Sequence, residues 1–157
     1  MTIYFYTTRD KSYGCFSNFS AHGFELDGVW WPTSEHYFQA QKFTGTPHVE
    51  EIRLAKTPKI AAKMGRDRKR PLRQDWETVK EEVMKKALLE KFSTHPEIGE
   101  LLLSTGEEEI VENSPFDYYW GCGKNGCGKN RLGFLLMEVR AILRDRIAKI
   151  DRQTESK

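Results

Sequence analysis

Glu35 and Lys42 are the pair of side chains whose types and spacing most readily suggest a reaction. They stand seven positions apart in Pro32-Thr33-Ser34-Glu35-His36-Tyr37-Phe38-Gln39-Ala40-Gln41-Lys42-Phe43. At about 100° per residue, seven steps return to within about 20° of the starting direction, so in a helix both lie on one face. A carboxylate and an amine so placed can exchange protons or do covalent work. An acid in the first turn and a lysine in the last also complement the helix dipole. Spacing alone favours the dipole reading. His36 lies next to the stripe.

Three further groups have chemical potential. Lys56, Lys59, Lys63, Arg66, Arg68, Lys69, Arg70 and Arg73 form a basic stretch whose only acid is Asp67. Arginine forks suit phosphate oxygens, and a solvated surface would look the same. Asp117-Tyr118-Tyr119-Trp120-Gly121 precedes a glycine-rich run. Its aromatic faces could stack on a base, and Asp117 could contact a sugar or polarise water, although packing explains the tyrosines better. Asn18, in Phe16-Ser17-Asn18-Phe19, could read a polar ligand edge or simply turn the chain. The segment from Gly123 to Asn130 nearly matches a phosphate-binding P-loop. It ends in Asn130, which has no hydroxyl for Mg²⁺, and no apolar strand leads into it. Cys122 and Cys127 are too widely spaced for a zinc pair and lack a second pair nearby, so no metal or cofactor is expected.

The elements that must position these groups follow from periodicity and punctuation. Ile3 to Tyr6 reads as a strand. Asp27-Gly28 between Phe24-Glu25-Leu26 and Val29-Trp30-Trp31 reads as a hairpin. Thr33 or Ser34 caps a helix running to about Phe43. Short helices over about 48–55 and 58–64 follow, opened by Thr46-Pro47 and Thr57-Pro58. Asp75 can cap a long helix carrying Trp76, Val79, Val83, Met84, Ala87, Leu88 and Phe92 at helical spacing. Pro96 opens another helix, Ile110-Val111 is a brief strand, and Leu132 to Ile150 marks a C-terminal amphipathic helix. The expected architecture is a mostly helical α+β single domain over 1–152, with a small N-terminal antiparallel β element and a flexible tail over 153–157. The 157 residues suffice for one core. Net charge is only +2, from 25 basic and 23 acidic side chains, which argues against binding nucleic acid through bulk charge. No apolar run is long enough to span a membrane. No secretory signal is recognisable, and three cysteines in no framework spacing suit a reducing cytoplasm.

Six ordered motifs carry a further reading. Phe16-Ser17-Asn18-Phe19, Trp31 to Phe43, Met64-Gly65-Arg66, Leu72-Arg73-Gln74-Asp75-Trp76, Asp117 to Gly121 and Gly128-Lys129-Asn130-Arg131-Leu132-Gly133 resemble the YbiA-like, or NADAR, family across nearly the whole chain. The resemblance implies an N-glycosidase. Its expected substrates are phosphoribosylamino-pyrimidine intermediates of riboflavin synthesis, cut between ribose C1 and an exocyclic amine to release ribose 5-phosphate. Glu35 matches the family's functional glutamate and Lys42 the lysine ending that motif. Lys42 is implied to form a Schiff base, or Asp117 or Glu35 to activate water directly. Arg66 and Arg73 are implied to hold the 5-phosphate, and Trp76 and Trp120 to frame the pyrimidine. Asn18, Asp117, His36 and Tyr119 complete the set, although Trp76 also falls on an apolar helix stripe. Other family members remove ADP-ribose from guanine bases in nucleic acid. That activity, and a non-catalytic module binding ADP-ribose or a phosphoribosyl group, are the alternatives. One departure is Cys15, where close relatives often carry an acid before Phe16.

Overall fold

The computed structural model describes residues 1–155. Its elements, in chain order, are β1 (Ile3–Phe5), β2 (Phe24–Leu26), β3 (Val29–Trp31), α1 (Ser34–Ala40), α2 (His48–Arg53), α3 (Pro58–Gly65), α4 (Trp76–Thr94), α5 (Pro96–Ser104), β4 (Ile110–Glu112) and α6 (Arg131–Glu155), with 3₁₀ turns at Gly14–Phe16 and Gln41–Phe43. This is the expected helix-rich α+β class, with two-stranded sheets β1–β4 and β2–β3. By packing, the chain forms two compact units. One spans Phe5–Lys91, and the other joins Met1–Tyr4 to the chain from Phe92 onward.

In the Phe5–Lys91 unit, β2 and β3 pair antiparallel with Phe24 opposite Trp31 and Leu26 opposite Val29. Asp27 and Gly28 both take positive φ, 54° and 78°, the conformation a two-residue hairpin needs. Phe24, Leu26 and Trp31 face inward onto Tyr37, Ala40, Phe43, Ile52, Ala61 and Ala87. Burial of each large side chain contributes about 1.5–3 kcal/mol. The cap of α1 forms as expected: Thr33 is extended and its hydroxyl accepts the His36 N–H. The α-helix stops at Ala40 rather than Phe43, and Gln41–Phe43 tighten into a 3₁₀ turn. The cause lies outside the helix. The Arg73 N–H donates to the Lys42 carbonyl at 2.9 Å, and its guanidinium reaches the Gln41 carbonyl at 3.3 Å. Terminal carbonyls partnered in this way need no further helical turn. Thr57 caps α3 with Pro58 in the first turn. The carbonyl of Asp75 accepts the Thr78 and Val79 N–H groups at the start of α4.

In the other unit, α6 turns Leu132, Leu135, Leu136, Val139 and Leu143 inward. Arg140, on the same buried stripe, donates to the Thr105 hydroxyl and the Glu108 carbonyl, each at 2.8 Å. The Ile3 N–H donates to the Glu109 carbonyl at 2.7 Å. Asn130 takes φ 50°, and its amide clasps β4 by accepting the Glu112 N–H and donating to the Ile110 carbonyl. The helix continues through Glu155, into the expected tail. Positions 156 and 157 lie outside the described residues.

One buried charge was not foreseen. Lys91, wholly inaccessible to solvent, donates its Nζ to the Ser17 carbonyl at 2.9 Å. Burial pushes its pKa down to about 7, with Cys15 pulling the other way. An unfolded lysine binds its proton up to about pH 10.4. Between about 7 and that value the unfolded state therefore holds more protons, and stability rises with pH. Urea denaturation at pH 7 and pH 9 will show the wild type gaining at most about 1.4 kcal/mol per pH unit relative to Lys91→Met; equal changes in both proteins would refute the buried-lysine assignment.

Candidate active site

All seven residues of α1, Ser34–Ala40, are buried, so its polar side chains must find partners within the protein. The segment before β2 supplies several. The Asn18 carbonyl accepts the Glu35 N–H at 3.1 Å, and its side-chain oxygen accepts the Ser34 hydroxyl at 2.8 Å. The Asn18 amide nitrogen rests on Met84 Sδ at 3.4 Å. Asn18 therefore anchors the start of the helix.

His36 is an internal brace. Its Nε2 lies 2.9 Å from the Ala55 carbonyl, an acceptor only, and its Nδ1 lies 2.7 Å from the Thr33 hydroxyl. In the neutral ring Nε2 must carry the hydrogen, and Thr33 donates to Nδ1. Burial holds the ring below its ordinary pKa, opposed by the Ala55 carbonyl. Both nitrogens thus have partners within the protein.

Glu35 is 8% exposed. Its Oε1 accepts the Gln39 side-chain amide at 2.7 Å. Lys42, on the 3₁₀ turn, remains on the same face as Glu35, since five α steps and two 3₁₀ steps return to within roughly 20°. The half-buried Lys42 Nζ donates to the Gly65 carbonyl at 3.3 Å. It lies 5.7 Å from the Phe38 ring centre and 5.9 Å from that of Trp76. Burial lowers its pKa; Glu35 and Glu77 oppose this, and Arg66 and Lys80 reinforce it. Glu35, Lys42 and Arg66 therefore act on one another in one unit.

The other expected site residues are placed as follows. Trp76 is buried against Phe38, with ring centres 5.1 Å apart, so its helix-stripe packing is realised alongside its place by Lys42. Arg73 grips both oxygens of Asp75, at 2.6 and 3.0 Å. Its backbone and guanidinium strap the turn carrying Lys42, while Arg66 at the end of α3 is exposed. Asp117, Tyr119 and Trp120 belong to the other unit. Asp117 Oδ1 accepts the Tyr119 and Trp120 N–H groups at 2.9 and 2.8 Å, and the two rings meet edge to face at 4.8 Å. The glycine-rich segment directs amides back onto itself: Gly128 donates to Cys122, Lys129 to Tyr118 and Asn130 to Gly121. Sequence reasoning missed Gln39, Glu77 and Lys80. Gln39 was detectable as the i+4 neighbour of Glu35, whereas the approach of α4 to Lys42 has no local signal.

The sequence and fold resemble those of known proteins. A NADAR domain model matches residues 4–144. The chain is 57% identical over 138 residues to N-glycosidase YbiA of Escherichia coli, covering 88% of this chain and 86% of that one. It is 52% identical over 148 residues to an N-glycosidase of Nostoc punctiforme, covering 92% and 94%. The maize chloroplastic riboflavin biosynthesis protein PYRR is 46% identical over 154 residues, with 88% of this chain matching 25% of that one. The NMR structure of E. coli YbiA superposes with a TM-score of 0.87 at 54% identity, covering 94% of this chain and 88% of that one.

The His36 brace has a pH signature. Its folded pKa is depressed, so its contribution is complete above the unfolded value near 6.5 and is lost as pH falls through the folded value. Denaturation midpoints measured between pH 7.5 and 5 will fall for the wild type. In His36→Gln, which keeps a polar side chain but no titrating ring, that component of the slope will be absent; an unchanged slope would contradict the brace.

Proposed function

The chain belongs to the NADAR domain family and is a hydrolase of N-glycosyl bonds, and from this we propose that it cleaves the ribosylamine bond of phosphoribosylamino-pyrimidine intermediates of riboflavin synthesis. The products would be ribose 5-phosphate and a free aminopyrimidine. The observation that carries the reading is the partly buried Lys42 amine, held at the Gly65 carbonyl with its proton affinity lowered by burial and with Glu35 as its strongest attractive charge. The maize relative's name points to the same pathway.

The mechanism uses three groups. Glu35 takes a proton from Lys42, leaving a neutral amine. Lys42 Nζ bonds to ribose C1 as the bond from C1 to the exocyclic nitrogen breaks, and Glu35 returns the proton to the departing aminopyrimidine; an Nζ proton then passes to the ring oxygen as the C1–O bond breaks, which opens the sugar to a protonated imine. Water then hydrolyses the resulting imine, freeing the sugar aldehyde and restoring Lys42. Arg66 suits the 5-phosphate because its guanidinium lies in the field of Lys42 and is exposed, whereas Arg73 is engaged by Asp75.

A second reading has its own observation. Lys56, Lys59, Lys63, Arg66, Arg68 and Lys69 are all exposed, a face that suits a polyanion. On that reading the bond cut joins ADP-ribose to a guanine base of nucleic acid by the same chemistry at C1.

Borohydride trapping separates these readings. With the phosphoribosylamino-pyrimidine, reduction during turnover will fix a sugar phosphate on the peptide containing Lys42, and Lys42→Met will abolish the adduct. Glu35→Gln will reduce kcat by roughly 10²–10⁴-fold. An adduct formed only from ADP-ribosylated guanine oligonucleotide would transfer the assignment to the second reading. Turnover without any adduct would replace the imine with water activated by Glu35 or Asp117.

A further inference from the structure

Gln39 occupies an unusual position among the buried polar groups of α1. Its amide nitrogen donates to Glu35 Oε1 at 2.7 Å. Its own oxygen is buried and has no hydrogen-bond partner. Buried amides ordinarily satisfy both ends. The orientation that leaves the oxygen alone is the one that places an N–H on the carboxylate, and a donor to an ionised oxygen makes the stronger bond. Glu35 is thereby held with one oxygen committed to Gln39.

A second, independent feature protects this arrangement. Gly65 closes α3 directly against the Gln39 side chain. A Cβ at Gly65 would overlap the Gln39 amide oxygen and lie 2.6 Å from Cδ and 3.0 Å from Cβ of that residue. The Gly65 carbonyl is also the acceptor for Lys42 Nζ. One glycine thus makes room for the amide that holds Glu35 and fixes the amine that faces it.

We infer that Gln39 is a positioning residue that orients the Glu35 carboxylate and favours its ionised form, and that Gly65 is a glycine because the Gln39 amide needs its space. The inference rests on the roles given above to Glu35 and Lys42. The substrate does not touch Gln39; the residue acts through Glu35. The charges that bear on Lys42 are Glu35 on α1, Arg66 at the end of α3, and Glu77 and Lys80 on α4.

The test combines kinetics with a readout that needs no turnover. Gln39→Met keeps the volume and removes the donor. It is expected to lower kcat at least tenfold with KM within about twofold, and to move the acid limb of the pH–rate profile to higher pH, because a carboxylate that loses a donor holds its proton more tightly. Gly65→Ala will reproduce this effect in the wild-type background. In Gln39→Ala, where the space is empty, adding Gly65→Ala will cost less than twofold more, a non-additivity that two separate packing defects would not give. Independently, the side-chain NH₂ resonances absent from the Gln39→Met spectrum are expected to move on acid titration of Glu35 in the wild type. Resonances indifferent to that titration, or fully additive effects of the two alanine substitutions, would overturn the inference. An enzyme inactive on every substrate but with titrating Gln39 resonances would instead fault the proposed function and leave the positioning intact.

Discussion

A seven-residue helix buried on every side has no water into which to turn a polar side chain, yet α1 carries Ser34, Glu35, His36 and Gln39. Each unmet buried group costs about 1–3 kcal/mol, so the surrounding chain is arranged to meet them. Asn18 serves Ser34 and the Glu35 N–H, Thr33 and the Ala55 carbonyl clasp His36, and Gln39 serves Glu35. The turns at Ser17–Asn18 and Leu54–Ala55 and the end of α3 lie where they do because this helix requires them. The same demands fix the Glu35 carboxylate more tightly than an exposed helix could.

Lys42 balances opposing influences. Partial burial and the cations Arg66 and Lys80 favour the free amine, while Glu35 and Glu77 favour the ammonium. The faces of Phe38 and Trp76, within 6 Å of Nζ, also attract the charged form. A lysine whose proton affinity is lowered by burial gives up its proton more readily than an exposed one. Removal of any one neighbour tilts that balance, which makes Trp76 matter electrostatically as well as for packing.

Features encoded by adjacent residues were legible in the sequence. Asp27-Gly28 fixes its hairpin because both residues reach positive φ, and Thr33 and Thr57-Pro58 start their helices with side chains one turn away. Glu35 and Lys42 were found by helical spacing, and their shared face survives the change to a 3₁₀ turn. What was not legible depends on partners distant in the chain. The helix stops at Ala40 because residue 73 claims the carbonyls of residues 41 and 42. Asp75 pairs with Arg73, Asp117 organises its own turn, and His36 faces Thr33 and Ala55. None of these follows from residue type, since each side chain could equally have met a ligand.

The pairing of β1 with β4 has a consequence in time. Residues 5–91 form a continuous block whose contacts can close as soon as that block has left the ribosome. The strand at Ile3 must instead wait for Glu109, to whose carbonyl its N–H donates. At about 5–20 residues per second, synthesis of the intervening chain takes on the order of 5–20 s. For that interval β1 is an unpaired edge, available to any other extended chain it meets. Pairing with β4 removes that edge, so the late strand protects the early one.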